Sequence, residues 1–498
     1  MRPGALKSAR PIKIVGTPCP ALFAALVGQH RIYVRKQLRR INNLLAEGRN
    51  RAALNRERQL LRSYALRVLA AHRGRIRLAW LERCRAIAAA KHSASRHYGP
   101  SIARTLDVAR RTDLWEPTDE QVGIVAMPKK SGAPRFLEMF GIEHRTRQEM
   151  LRITLANRVG LHPSQYAVAS GLRQIQADIA NALATGEYAV AACTDIPDFH
   201  GSINVEALGT VLRIPIRIVR ANIGFARLNL DVRQMRKIRK EATTKQTNEL
   251  EGELAELATL IRANGGHSYT HYVHEYYWEP RGISTGSSCA PIVAETAIAA
   301  CLPDIPVGVK LFVWVDDILV LATNEADAQR AIETLRVALA AAPVGPFHLK
   351  PIAYASVSDG FDFIGSTFRT TRDGPIVAPT RDNVLRLRSE MRRHLHTSSR
   401  KGKGRANAEL FLRGWVAANR LWPEADETLR HYQSELDRAE EQYIGYYRGR
   451  SGADASESTF LLRAIGRNFP APTRKRQHRD YALGCCVPYL RLASRFHC

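Results

Sequence analysis

The spacing of apolar and polar positions divides the chain into three textures. Across residues 31–85, Leu38, Ile41 and Leu45 recur at helical intervals among arginines, which predicts a helical region. Across residues 120–370, short apolar runs punctuated by Gly and Pro alternate with helix-like stretches at 145–159 and 172–184. That alternation predicts an α+β domain. Within it YAVAACT, LFVWV and ILVLA read as strands, the last two forming a hairpin with Asp316 and Asp317 at or beside the turn. Residues 231–262 form a charged helical insert, basic in DVRQMRKIRK and acidic in ELEGELAEL, expected to stand in solvent. Beyond residue 380 basic helices return. There RLRSEMRRHLHTSSRKGKGR is expected to give a flexible Ser/Gly/Lys stretch before the helix-like NAELFLRGWVAANRLW.

Charge then narrows the partners. The 498 residues carry a net charge of +27, an excess whose natural counterpart is nucleic acid, with an anionic membrane as the competing reading. Residues 31–85 alone hold 16 Arg or Lys against 3 Glu, which favours contact with RNA phosphates over a merely solvated face. No run of roughly 18 or more apolar residues is present, and Met1 does not open a basic-then-apolar signal segment. No membrane partner and a cytoplasmic location are therefore expected. The 8 cysteines include no C-x-x-C pair and read as reduced thiols.

The double aspartate raises a physical problem. An ionised carboxylate beside buried apolar strands costs on the order of several kcal/mol without a partner, and two adjacent acids repel. Asp is also an ordinary turn residue, but no Gly or Asn accompanies the pair. A divalent cation with a preference for oxygen, Mg²⁺, would relieve both penalties. A further acid stands at the end of another strand-like run, at Asp195 in AVAACTDIPDFHGSIN, where GSIN could open a helix and the Asp could equally be a helix cap.

A strand-end Asp followed by an apolar hairpin with a double Asp resembles motifs A and C of the polymerase palm in the reverse transcriptase family. The remaining segments resemble that family in order. IVAMPKKSGAPRFLEM is similar to the first fingers motif of the bacterial enzymes, and HPSQYAVASGLRQIQADIANAL to the next block. GISTGSSCAPIVAETAIA is similar to motif B, a glycine-rich turn in which Gly286 admits a close approach and Pro291 starts a helix. FHLK is similar to motif D and FDFIGSTF to motif E, a strand pair.

The resemblance covers roughly half the chain and implies a right-hand polymerase fold of the α+β class. Fingers would span 116–190 and a palm with an antiparallel sheet 191–370, interrupted by the charged insert over about 210–280. A basic helical region at 1–115 would precede them, and a basic helical thumb and C-terminal RNA-binding region at 371–498 would follow. Asp195, Asp316 and Asp317 would be the catalytic acids, and with the Ile196 carbonyl they would hold two Mg²⁺ ions, or Mn²⁺ in their place. Strand alternation suggests that Asp317 supports the site rather than binding directly. Contacts to the incoming nucleotide would fall to Lys129, Lys130, Arg135, Phe199, His200, Thr285, Gly286 and Lys350, the last as a proton donor to pyrophosphate.

The implied activity is RNA-directed DNA synthesis by two-metal nucleotidyl transfer, consuming dNTPs on an RNA template or non-coding RNA and yielding cDNA. The chain departs from the family pattern in four places. Trp314 stands where Tyr is usual, His200 where an aromatic gate is usual, Ser284 where Pro is usual and Ala290 where Ser is usual. A zinc-type endonuclease motif and the Val-Thr-Gly of retron enzymes are missing, which is most similar to the defence-associated or abortive-infection groups and implies a role in anti-phage defence. Template-independent or protein-primed DNA synthesis on the same fold and a non-catalytic RNA-binding protein are the alternatives, and RNA-dependent RNA synthesis ranks below them. An oligomer is compatible with all of these readings.

Overall fold

The computed structural model describes residues 19–88, 98–128, 134–158, 161–224, 228, 282–401 and 404–448. The charged insert at 231–262 and the tail beyond residue 448 lie outside the described residues.

The basic N-terminal stretch is helical because its apolar residues return every three or four positions. Helix α1 (Pro20–Ala46) starts on a proline and buries Phe23, Val27, Val34 and Ile41, while Arg31, Arg35, Lys36, Arg39 and Arg40 face outward. Helices α2 (Asn50–Leu61) and α3 (Tyr64–Ala88) follow, and α4 (Ile102–Arg111) is capped by the Ser101 side chain, which accepts from Arg104 N. A two-stranded ribbon, β1 (Gly123–Pro128) and β2 (Pro134–Met139), leads to α5 (Ile142–Arg158), which packs along α3.

Helix α6 (Leu172–Ala184) precedes β3 (Val190–Asp195), the interior strand on which the site is built. Two short helices, α7 (Phe199–Ser202) and α8 (Val205–Val211), carry the chain away, α8 with Asn204 as its cap, and α9 (Ile216–Asn222) follows. The chain re-enters at Gly282 and forms α10 (Ala290–Ala299), then the hairpin β4 (Val309–Trp314) and β5 (Asp317–Ala322), then α11 (Glu325–Ala340) and β6 (Ala353–Ser356). The sheet is antiparallel in the order β4-β5-β3-β6. A three-stranded sheet, β7 (Phe361–Phe363), β8 (Ser366–Thr371) and β9 (Gly374–Pro379), sits beside α6.

Both faces of the four-stranded sheet are covered, which is why its hairpin strands are apolar without alternation. Ala192, Val313, Ile318 and Val320 face a core shared with α8, α10 and α11, whereas Ala191, Phe312, Leu319 and Leu321 face one shared with α6 and β7–β9. The carboxylates stand at one end of this doubly buried sheet. A third core joins α12 (Arg381–Lys401), α13 (Gly404–Ala418) and α14 (Ala425–Arg448) through Met391, Leu412, Trp415 and Leu436. The stretch expected to be flexible is instead helical through Lys401, because its Arg, Leu and Met residues are good helix formers and its Ser-Ser pair is short enough to be carried. The result is an α+β architecture with antiparallel sheets flanked by helices.

Candidate active site

The site begins with register. Asp195, the last residue of β3, pairs with Asp317, the first residue of β5. Residues directly opposite in an antiparallel pair share a face, so these two side chains emerge together, on the side that carries Cys193 and Leu319. The hairpin closes at Trp314 and Asp317, so its turn is Val315 and Asp316. Asp316 therefore lies in the loop, where its carbonyl accepts from Ile196 N at 3.1 Å. Strand alternation suggests that Asp317 supports the site rather than binding directly, and the register places it opposite Asp195. All three acids are half-buried.

The turn itself is strained. Val315 has φ of 59°, in the left-handed region that two-residue hairpins favour but that costs a β-branched residue about 1–2 kcal/mol. Such strain persists only where neighbours over-determine it. Glu295 of α10 is fully buried, and its carboxylate accepts from Ala167 N at 3.0 Å and from Val168 N at 3.2 Å, in the loop laid against β4. Burial pushes its pKa up to about 7, against the pull of main-chain donors.

Lys350 closes the other side. Its Nζ donates to Asp195 Oδ2 at 2.7 Å and its backbone N to Asp195 O at 3.0 Å, while Thr194 Oγ1 donates to Lys350 O at 3.0 Å. Burial, then the charges of Asp317 and of Asp362 on β7, push the Cys193 thiol up to about 12.

The loop of residues 282–289 is anchored from below. Buried Glu138 of β2 accepts at Oε2 from Ser284 Oγ at 2.7 Å, Gly286 N at 3.0 Å and Thr285 Oγ1 at 3.4 Å. A Cβ on Gly286 would lie 2.3 Å from Glu138 O, so the need for glycine arises from this protein backbone. Arg145 Nη1 donates to Gly286 O at 2.9 Å, and Gln148 Oε1 accepts from Ser288 N at 3.0 Å. These belong to a run on α5, His144 to Glu149, in which every polar side chain is buried. Arg147 donates to Glu116 O and to Asn222 Oδ1, and His144 Nε2 meets Glu120 O at 3.2 Å.

The other sequence candidates are placed as follows. Phe199 is 1% exposed and stacks edge-on against Phe347 with ring centroids 5.2 Å apart, so it belongs to the core, and a nucleotide contact by its side chain would need that core to open. His200 is half-buried at the same turn, and its carbonyl accepts from Ile283 N at 2.9 Å, which brings the start of the 282–289 loop beside it. Ile196 is buried next to Asp195. Arg135 pairs with Met127 in the β1–β2 ribbon, and Lys129 and Lys130 lie outside the described residues. Glu138, Glu295, Asp362 and Val315 carried no sequence signal beyond their neighbours' motifs.

Two facing carboxylates with a third in the adjoining turn are hard oxygen donors, the donor type Mg²⁺ takes. Mg²⁺ is commonly held through one or two carboxylates together with substrate phosphates. Among the described residues, no group of three or more His, Cys, Asp or Glu side chains is placed to hold a metal ion unaided. The Lys350 ammonium is in contact with Asp195 at this site.

No protein-family model matches the chain, and no curated protein does. Among solved structures, the chain is similar to telomerase from Candida albicans in complex with a TWJ fragment of telomeric RNA, at 11% identity and a TM-score of 0.34. The match covers 76% of this chain and 62% of that one. Among the described residues, no helix is long and apolar enough to cross a membrane.

Proposed function

We propose that the chain is an RNA-directed DNA polymerase of the reverse transcriptase type, with β3–β6 and their helices as the palm, β1–β2 as part of the fingers and α12–α14 as the thumb. The observation that carries this reading is the pairing of Asp195 with Asp317, with Asp316 in the adjoining turn, at one end of a sheet covered on both faces. Magnesium bound there would supply charge neutralisation for the triphosphate and acidify the primer hydroxyl. Asp195 and Asp317 would supply facing oxygen ligands and Asp316 a third from the turn. Lys350, released from Asp195, would contact phosphate oxygens and deliver a proton to the leaving pyrophosphate. His200, beside the 282–289 loop, occupies the sugar-selecting position, and Thr285 and Gly286 border the nucleotide. The outward arginines of α1 supply phosphate contacts for an RNA partner.

The test is incorporation of labelled dNTPs against NTPs by the purified protein with Mg²⁺, with and without added RNA template. Asp195→Ala, Asp316→Ala and Asp317→Ala are each expected to abolish incorporation while RNA binding persists. Incorporation equal to the unsubstituted protein in these variants refutes the polymerase reading. The Lys350 contact to Asp195 favours one second reading, an RNA-binding protein on the same fold in which an ammonium permanently replaces the cation. RNA binding without incorporation of either nucleotide class selects it.

A further inference from the structure

The hairpin of β7 and β8 closes on two residues. Phe363 pairs with Ser366, so Ile364 and Gly365 make the turn, with φ of 43° and 84°. Both are left-handed, the form that matches strand twist in a two-residue hairpin and usually calls for Asn-Gly. Ile364 resists that form, because a Cβ there crowds the following carbonyl. The turn is gripped from two sides by buried amides. Gly365 O accepts from Thr380 N at 3.3 Å and from Asn383 Nδ2 at 3.1 Å, at the start of α12. The same Nδ2 donates to Asn419 Oδ1 at 3.3 Å, while Asn383 Oδ1 accepts from Trp415 Nε1 at 3.1 Å and from Arg386 Nη2 at 3.0 Å. From α6, Gln176 Nε2 donates to Ser366 Oγ at 2.7 Å and to Ala418 O, the end of α13, at 3.2 Å. Asn383, Gln176, Ser366 and Asn419 are all buried, and β7 packs beside β3, the strand that ends at Asp195.

We propose that Asn383 is a positioning residue that fixes the α12–α14 unit to the β7–β8 turn, so that the unit keeps one orientation relative to the carboxylate site. A side-chain amide has two N–H donors and two acceptor lone pairs, and at Asn383 all four are used. A buried polar network satisfied to this degree specifies one arrangement, where apolar contact alone would let the helices slide. The bonds to Asn419, Trp415 and Arg386 hold the amide within the helical unit, and the bond to Gly365 O carries that unit to the turn. Its consequence, that a primer–template duplex is held between α12–α14 and the acids in a fixed place, rests on the polymerase reading; the joint itself does not.

The test separates the two. Asn383→Asp keeps the size of the side chain and the oxygen that accepts from Trp415 and Arg386, but sets a second oxygen against Gly365 O and Asn419 Oδ1 in place of the donor. Hydrogen exchange over residues 361–371 and 380–383 is expected to rise about tenfold in this variant, with β3–β5 as the unchanged reference. With oligo(dT) annealed to poly(rA), the KM for the duplex is expected to rise about fivefold while kcat and the KM for dNTP stay nearly constant. A merely structural Asn383 would instead lower the amount of folded enzyme, and so kcat, with the duplex KM untouched. Asn383→Ala is expected to exceed both effects, and should it fail to fold, Asn383→Asp decides. Unchanged exchange across the turn in Asn383→Asp overturns the proposal, as does a rise shared equally by β3–β5 or a fall in kcat without a change in the duplex KM. Should the unsubstituted protein incorporate nothing, the polymerase reading falls while the exchange result still decides the role of Asn383.

Discussion

Replacing Lys350 by methionine gives the sharpest test of the carboxylate site. The ammonium sits 2.7 Å from Asp195 Oδ2, and the two side chains are 35% and 32% exposed. At an effective dielectric near 20 the bare attraction is about 6 kcal/mol, most of which is cancelled by desolvation and solvent screening. A net value of about 1 kcal/mol is appropriate to a pair this exposed. Any cation that binds Asp195 must first displace that interaction, so its removal is expected to strengthen cation binding about fivefold, the equivalent of about 1 kcal/mol. Methionine keeps the length and apolar stem of lysine, and the backbone hydrogen bond from Lys350 N to Asp195 O survives the change. The assay is titration with Mn²⁺ of the protein held at a fixed concentration of a non-hydrolysable dNTP analogue, read by electron paramagnetic resonance at fixed ionic strength, with Asp195→Asn as the control that loses the ligand. On the proposed polymerase reading the same variant is expected to lose incorporation, because the proposed proton donor to pyrophosphate is gone, so tighter metal and slower turnover should appear together. Equal or weaker Mn²⁺ affinity in Lys350→Met refutes the displacement argument.

Two further predictions concern the supports around the site. Glu138→Ala strands the hydroxyl of Ser284 and the N–H of Gly286, and should cost about 1–3 kcal/mol of local stability, read as faster hydrogen exchange over residues 282–289. Glu138→Gln should retain most of it, because all three loop donors address a single oxygen. His144 titrates with a folded pKa lowered to about 4, first by burial, so the folded chain needs it neutral. Its contribution is complete above its unfolded pKa near 6.5 and is lost as pH falls from there toward 4, at most about 3 kcal/mol. His144→Gln should flatten the unfolding midpoint over that window, and an unchanged acid limb would remove His144 from the account.

The hairpin was legible because burial on both faces leaves an apolar run too long to be anything but a covered strand pair, and the two interrupting acids then stand out. The β3 acid was legible for the same reason, at the end of its own apolar run. The register was not legible. Without Gly or Asn to mark it, the turn could sit on Asp316 and Asp317 or one residue earlier, and that single step decides which acid faces Asp195. The run HRTRQE was equally opaque. Six polar residues in a row carry no apolar period, yet in α5 all six are inside, each hydrogen-bonded or ion-paired. Sequence periodicity registers water-avoiding side chains, and it cannot see polar ones whose partners come from segments over 70 residues distant, as Gly286 does for Arg145 and Asn222 for Arg147.

That opacity has a physical origin in what a site of this kind requires. The 162–168 and 282–289 segments lack regular secondary structure over most of their length, so their main-chain donors cannot be met by a ladder, yet several are shielded from water. Apolar packing would cover such loops without fixing them, because it has no direction. Buried acceptors do fix them. Glu138 from β2, Gln148 from α5 and Glu295 from α10 each take loop donors that no neighbouring strand could reach, and each sits on a regular element whose own backbone is satisfied. The carboxylates of β3 and β5 are thus bounded by loops whose positions are set through directional bonds to rigid helices and a strand. A hydrophobic residue of equal volume at position 138 or 295 would keep the core filled and still release the loop, so the proposed nucleotide incorporation should be far more sensitive than folding to those two substitutions.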